Sequence, residues 1–320
     1  MKLPPAKRLL PLLGLLTTVL VLSQVLKANQ FNDFEVGNSE IPINEIYQGG
    51  PPRDGIPAID EPKFVHAAEA GFLHDQQRVL GLHFEGELKA YPINIMNWHE
   101  IVNDEVSNMA VVITYCPLCG TGVGFLAVAG GEELNFGVSG LLYNSDVLLY
   151  DRQTHSLWSQ LLNRAISGPL KGVPLDPIPL EHTTWGDWRE RYPDSLVLSL
   201  ETGHRRDYRR DPYAGYESDE GLYFPVSHRD PRFHPKERVL GLEFNGLHKA
   251  YPFAELNRTD GQFQDRLGGK QLTIQFDSAN QSARALDANG QLLPGVTSYW
   301  FAWYAFHPDT QVFRAKSLNK

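Results

Sequence analysis

The chain contains one segment twice. Arg78–Asn97 reads RVLGLHFEGELKAYPINIMN and Arg238–Asn257 reads RVLGLEFNGLHKAYPFAELN, identical at twelve of twenty positions at a constant offset of 160. A duplication this close constrains the fold before any other feature, because what one copy forms the other must form as well. The parallel extends outward. Ile59–Phe64 (IDEPKF) matches His228–Phe233 (HRDPRF), and Val111–Gly120 (VVITYCPLCG) matches Leu272–Gln281 (LTIQFDSANQ), one residue out of step. Tyr150–Trp158 loosely echoes Phe306–Arg314.

The repeated segment reads as a β-hairpin. Val79, Leu80, Leu82 and Phe84 form one apolar strand, and Leu88, Ala90 and Tyr91 begin the return. Between them stand Glu85-Gly86 in one copy and Asn245-Gly246 in the other, and Asn-Gly suits the positive φ of a tight hairpin turn. Pro92 and Pro252 can each open a short helix, running to about Val102 in the first copy. A strand at Ala110–Tyr115 and others around 133–138, 147–150 and 156–161 follow. Thr184–Arg191 reads as a capped helix anchored by Trp185 and Trp188. The expectation is a mainly β protein with short helices, a β-rich α+β fold of two homologous lobes. Residues 56–165 would form the first, 166–222 a connector and 223–320 the second.

The N-terminus sets the compartment. Lys2, Lys7 and Arg8 precede an apolar run from Leu9 to about Leu26, and Leu26-Lys27-Ala28 makes a poor cleavage site. Residues 1–26 read as a signal peptide or, better, an uncleaved membrane anchor, with 27–55 as a linker. The rest of the chain is expected outside the cytoplasm, in the periplasm or beyond the cell, meeting an extracytoplasmic protein or a small molecule. With a formal charge of −9 and a single basic cluster, His204–Asp211, diluted by Asp207, no nucleic-acid partner is expected.

The duplication also supplies an internal control. Residues kept in both copies, such as Gly81 and Gly241 or Lys89 and Lys249, read as scaffold. Residues in one copy only are candidates for a site. Trp98-His99-Glu100 faces Arg258-Thr259-Asp260, and the only two cysteines, Cys116 and Cys119, face Asp277 and Asn280. Cys-Pro-Leu-Cys-Gly has the shape of a metal knuckle, in which a tight turn aims two thiolates at one point. Two thiolates are an incomplete set, so His99, His155, Asp146 or an outside ligand must add to them, with His99 the expected third ligand or a proton-transfer partner. The softness of sulfur points to copper or zinc. The rival reading is a reactive pair, with Cys116, Cys119 and His99 in thiol–disulfide chemistry. A third is a non-enzymatic surface scaffold that binds a protein or glycan through its aromatic-rich second half, with Cys116 and Cys119 a minor local staple. Asn144, Asp146 and Trp98 would orient the site in the first two readings.

Taken in order, RDGIPAIDEPKF, KAYPINIMNWHEIVND, TYCPLCGTG, FGVSGLLYNSDVLLYDRQTHSLWSQ and AISGPLKG resemble the DUF3179 family of bacterial and archaeal proteins. The resemblance runs from about Gly50 to the C-terminus. It implies an exported or membrane-attached protein and brings no reaction, cofactor or catalytic residue. Trp98, His99, Cys116, Cys119, Asn144, Ser145, Asp146 and Trp158 fall in its most recognisable blocks.

Overall fold

The computed structural model describes residues 30–316. The proposed signal or anchor, residues 1–26, lies outside them, and among the described residues no helix is long and apolar enough to cross a membrane. The chain is mainly β with a few short helices, as expected.

The strands form five sheets in a propeller-like ring, together with two small two-stranded ribbons. Sheet I joins the hairpin Arg78–Phe84 and Glu87–Pro92 to Leu180–Thr184, Leu196–Leu198 and the edge strand Phe64–His66. Sheet II consists of Ile101–Val106, Met109–Cys116, Thr121–Leu126 and Pro177–Ile178. Sheet III contains Ile46–Gln48, Phe136–Tyr143, Asp146–Asp151, Leu157–Ser159 and Arg164–Ser167. The second copy supplies sheet IV, from Arg238–Phe244, Leu247–Pro252, Val296–Tyr299 and Gln311–Val312. It also supplies sheet V, from Gln262–Leu267, Lys270–Asp277 and Ser282–Leu286.

The two copies are therefore not two separate lobes. Their kinship survives at the level of sheet register. Val79 faces Pro92 as Val239 faces Pro252. Arg78 pairs with Thr184 as Arg238 pairs with Tyr299. Ala90 takes a parallel partner in Val197, and Ala250 takes one in Val312. The segment between the hairpins thus returns to complete sheet I. Its helix α2 (Trp185–Arg191) matches α4 (Trp300–Phe306), whereas α1 (Ile93–His99) and α3 (Phe253–Leu256) follow the hairpins.

This register corrects the alignment at the far end of the repeat. Trp300, Trp303, Pro308 and Asp309 correspond to Trp185, Trp188, Pro193 and Asp194. Tyr150–Trp158 instead lies in sheet III, which has no counterpart in the second copy. The aromatic run of the second copy is core as well: Trp300, Phe301 and Trp303 are all buried. These three side chains therefore serve the core and offer no binding surface of their own.

Shared residues have shared tasks. A Cβ on Gly81 would stand 2.1 Å from the Trp188 ring, and one on Gly241 would stand 2.2 Å from Trp303. Only glycine lets these indoles lie flat on the strand. Lys89 donates to Asp104 at 2.9 Å while the Tyr91 hydroxyl donates to the same carboxylate at 2.6 Å. Lys249 and Tyr251 hold Asp265 in the same way, at 2.6 and 3.0 Å. The Lys-Ala-Tyr motif is thus a clamp on a carboxylate of the next hairpin, buried in the first copy and desolvated at a cost that the paired lysine offsets.

The copies also interlock. Val296–Tyr299 of sheet IV packs against Thr121–Leu126 of sheet II, and Leu180–Thr184 of sheet I packs against Ser282–Leu286 of sheet V. The difference between the copies is an insertion. In the second, residues 287–295 connect sheet V back to sheet IV, whereas in the first the corresponding stretch, 127–179, contains most of sheet III. Helix α1 is shorter than expected. It ends at His99 because Glu100 turns left-handed (φ 59°), and Ile101 starts a strand.

Candidate functional site

Cys116 ends one strand of sheet II and pairs across the hairpin with Thr121. The loop Pro117–Gly120 closes the turn, with Gly120 at φ 59° and the Tyr299 ring packed against its Cα side. The second copy closes its equivalent turn with Asp277 opposite Ser282, so Cys116 and Cys119 do correspond to Asp277 and Asn280. There Asn280 and Asp277 bond each other.

The third component comes from sheet III. Asn144 and Ser145 (φ 50° and 65°) form the two-residue turn between Phe136–Tyr143 and Asp146–Asp151, as positive φ at both positions requires. Asn144 fastens this turn to the rest of the molecule: its Oδ1 accepts from the Ser227 N–H at 2.7 Å, and its Nδ2 donates to the Ala305 carbonyl at 3.4 Å. The turn delivers the Ser145 carbonyl to both thiols, 3.3 Å from Cys119 Sγ and 3.7 Å from Cys116 Sγ. Asp146, the next residue, points its carboxylate at the same place. The two Sγ atoms and an Asp146 oxygen lie within 4.8 Å of one another, all buried.

This cluster is poorly satisfied as it stands. Asp146 Oδ2 accepts a long hydrogen bond from the Leu161 N–H at 3.3 Å, and Oδ1 has no hydrogen-bond partner. A buried polar atom without a partner is costly, so it marks a site where something else acts. Burial pushes the Asp146 carboxyl up to about 7 despite the nearby thiols and backbone N–H groups. Burial raises both thiols too. That direction disfavours an attacking thiolate, which needs a lowered pKa and access. The two cysteines are free of each other, with no disulfide.

His99 stands elsewhere. Its Nδ1 lies 2.7 Å from the Pro57 carbonyl, which can only accept, so Nδ1 carries the proton. Nε2 then accepts from the Tyr208 hydroxyl at 2.7 Å. Burial of the ring lowers its pKa to about 4, against the opposing effect of the Pro57 hydrogen bond. The expected third ligand is therefore a neutral packing histidine that clips the Tyr208 loop to α1. Trp98 belongs to the same clip, donating its indole N–H to the Arg210 carbonyl at 3.1 Å. His155 is exposed.

The neighbour of His99 is electrostatically coupled to the cluster. Glu100 is buried, and its carboxyl is raised to about 8, first by burial and then by the charge of Asp146. The sequence does single out Glu100, as part of a triplet present in one copy only, but histidine's frequency as a ligand drew attention away from it. Tyr213 and Tyr216 complete the surroundings, both within electrostatic reach of the cysteines.

A mainly β protein built as a ring of sheets, with two thiols and a carboxylate converging inside it, is the class these features define. The chain belongs to the family described as a protein of unknown function, DUF3179, which matches residues 53–291. No curated protein and no solved structure matches it.

Proposed function

We propose that this is an exported, membrane-anchored protein that binds one soft or borderline metal ion through Cys116, Cys119 and Asp146. The observation that carries the reading is the convergence of three buried donor atoms within 4.8 Å, beside an Asp146 carboxylate that has one oxygen without a hydrogen-bond partner. Two zinc-bound sulfurs in a tetrahedron stand about 3.8 Å apart, which a small adjustment of this cluster reaches. The carboxylate oxygen favours zinc, with copper(I) as the competitor that the sulfurs would also accept. Three protein ligands leave a fourth position for the nearby Ser145 carbonyl, water or a ligand from outside. Export and anchoring rest on the basic-then-apolar pattern of residues 1–26.

The thiol–disulfide alternative has the proximity of the cysteines in its favour and their burial against it. The test is direct. Protein expressed into the periplasm and purified anaerobically should carry about one metal ion per chain, measured by elemental analysis. Cys116→Ser with Cys119→Ser should remove it. Equal metal content in both proteins refutes the reading.

A further inference from the structure

A cavity of about 200 Å³ lies where the two copies meet, lined by Arg78, Arg238, His182, Tyr115, Tyr216 and Tyr299 among others. The two arginines are the same residue of the duplicated segment, each opening its hairpin. The duplication has thus brought a pair of guanidinium groups to one place.

Their partners differ. Arg238 donates to Glu217 at 2.7 Å, an ion pair at the half-exposed mouth. Arg78 has no carboxylate within ion-pair distance among the described residues. It donates only to the Asn280 and Gln281 carbonyls, at 2.5 and 3.1 Å. A half-buried guanidinium with a second cation beside it and no ion-paired carboxylate is costly. The strain shows in Arg78, whose pKa is lowered to about 10 by burial and then by Arg238. Of the lining carboxylates, Glu217 pairs with Arg238 and Asp211 is exposed and accepts from the Asn97 amide, so the Arg78 guanidinium is left without a carboxylate partner.

The walls offer further contacts. Tyr216 lines the cavity with its ring. His182 Nε2 accepts from the Gly122 N–H at 3.1 Å, which leaves the proton on Nδ1 as a donor. Tyr115 and Tyr299 add aromatic surface on which an organic body can lie.

We propose that this cavity binds a small organic monocarboxylate, its carboxylate on Arg78 and Arg238 and its body among the tyrosines. One unmatched cation calls for one negative charge, and a planar carboxylate fits the guanidinium fork. The aromatic walls favour an organic acid over an inorganic oxyanion. The site uses none of the three proposed metal ligands and does not rest on the metal reading, though Pro117 and Gly120 of the cysteine loop line it as well.

Isothermal titration of the purified full chain with benzoate, acetate, inorganic phosphate and neutral benzamide tests it. Benzoate should bind saturably and more tightly than acetate or phosphate, and benzamide should not bind. Arg78→Gln should weaken benzoate at least tenfold. Because Arg78 also braces the Asn280 turn, Arg238→Gln serves as a second variant with the same expected direction. The Cys116→Ser, Cys119→Ser protein should bind benzoate normally. Three results would each overturn the assignment: no saturable binding of any probe, benzoate affinity unchanged in both arginine variants, or phosphate binding more tightly than benzoate.

Discussion

Asp146→Asn separates the stability of the fold from the chemistry of the cluster. The carboxyl rises from 3.8 in its ordinary setting to about 7 when buried beside the thiols. A raised acid favours its protonated form in the folded state. Folding therefore takes up a proton between roughly pH 4 and pH 7, and stability is lost as pH rises through that window. At pH 8, above both values, the shift of about three units corresponds to roughly 4 kcal/mol, at about 1.4 kcal/mol per unit. At pH 4.5 only about 1 kcal/mol of that cost is present. Asparagine does not titrate, so it removes the pH-dependent part and keeps a constant cost of roughly 1–2 kcal/mol for burying its amide. Metal-free Asp146→Asn should therefore gain about 3 kcal/mol on the wild type between pH 4.5 and pH 8. Urea denaturation in the presence of a chelator, at both pH values, measures the gap. With zinc the order should reverse, because ligand binding stabilises only the protein that binds it. A gap that stays constant with pH would show that Asp146 is not held as a desolvated acid, and the argument for an unsatisfied donor would fall with it.

Two further substitutions test the division between scaffold and site. His99→Ala should cost about 2–4 kcal/mol through a cavity and two lost hydrogen bonds, while metal content stays at the wild-type level; a metal-free His99→Ala protein with intact fold would restore the histidine as a ligand. Gly81→Ala should destabilise by about 2–3 kcal/mol, since the new methyl meets the Trp188 ring, and Gly241→Ala should behave alike against Trp303. A neutral result in thermal unfolding at either glycine would show that the helices α2 and α4 shift freely over their strands.

The duplicated stretch carried its hairpins, turns and following helices in local pattern alone, because alternation, a turn dipeptide and a proline act over a few residues. It also marked the sulfur pair that the structure brings together with Asp146, since a copy without cysteines makes the other copy's cysteines informative. The remaining site residues followed a different rule. His99 and Glu100 are neighbours in the chain, yet His99 bonds Pro57 while Glu100, at a left-handed turn, is buried and feels the charge of Asp146, and no periodicity announces that. Asp146 reached the cysteines through an inserted sheet whose placement depends on pairings across the whole chain.

By itself the sequence determined what short-range physics writes directly: mainly β structure, a repeated hairpin with its tight turns, and two thiols held at one knuckle. Tertiary structure alone decided that the copies interlock as sheets of one ring, that a carboxylate and not an imidazole meets the sulfurs, and that two equivalent arginines share a cavity. The reason is distance. Those outcomes depend on contacts between residues far apart in the chain, where the gain from packing must first offset the entropy of bringing them together.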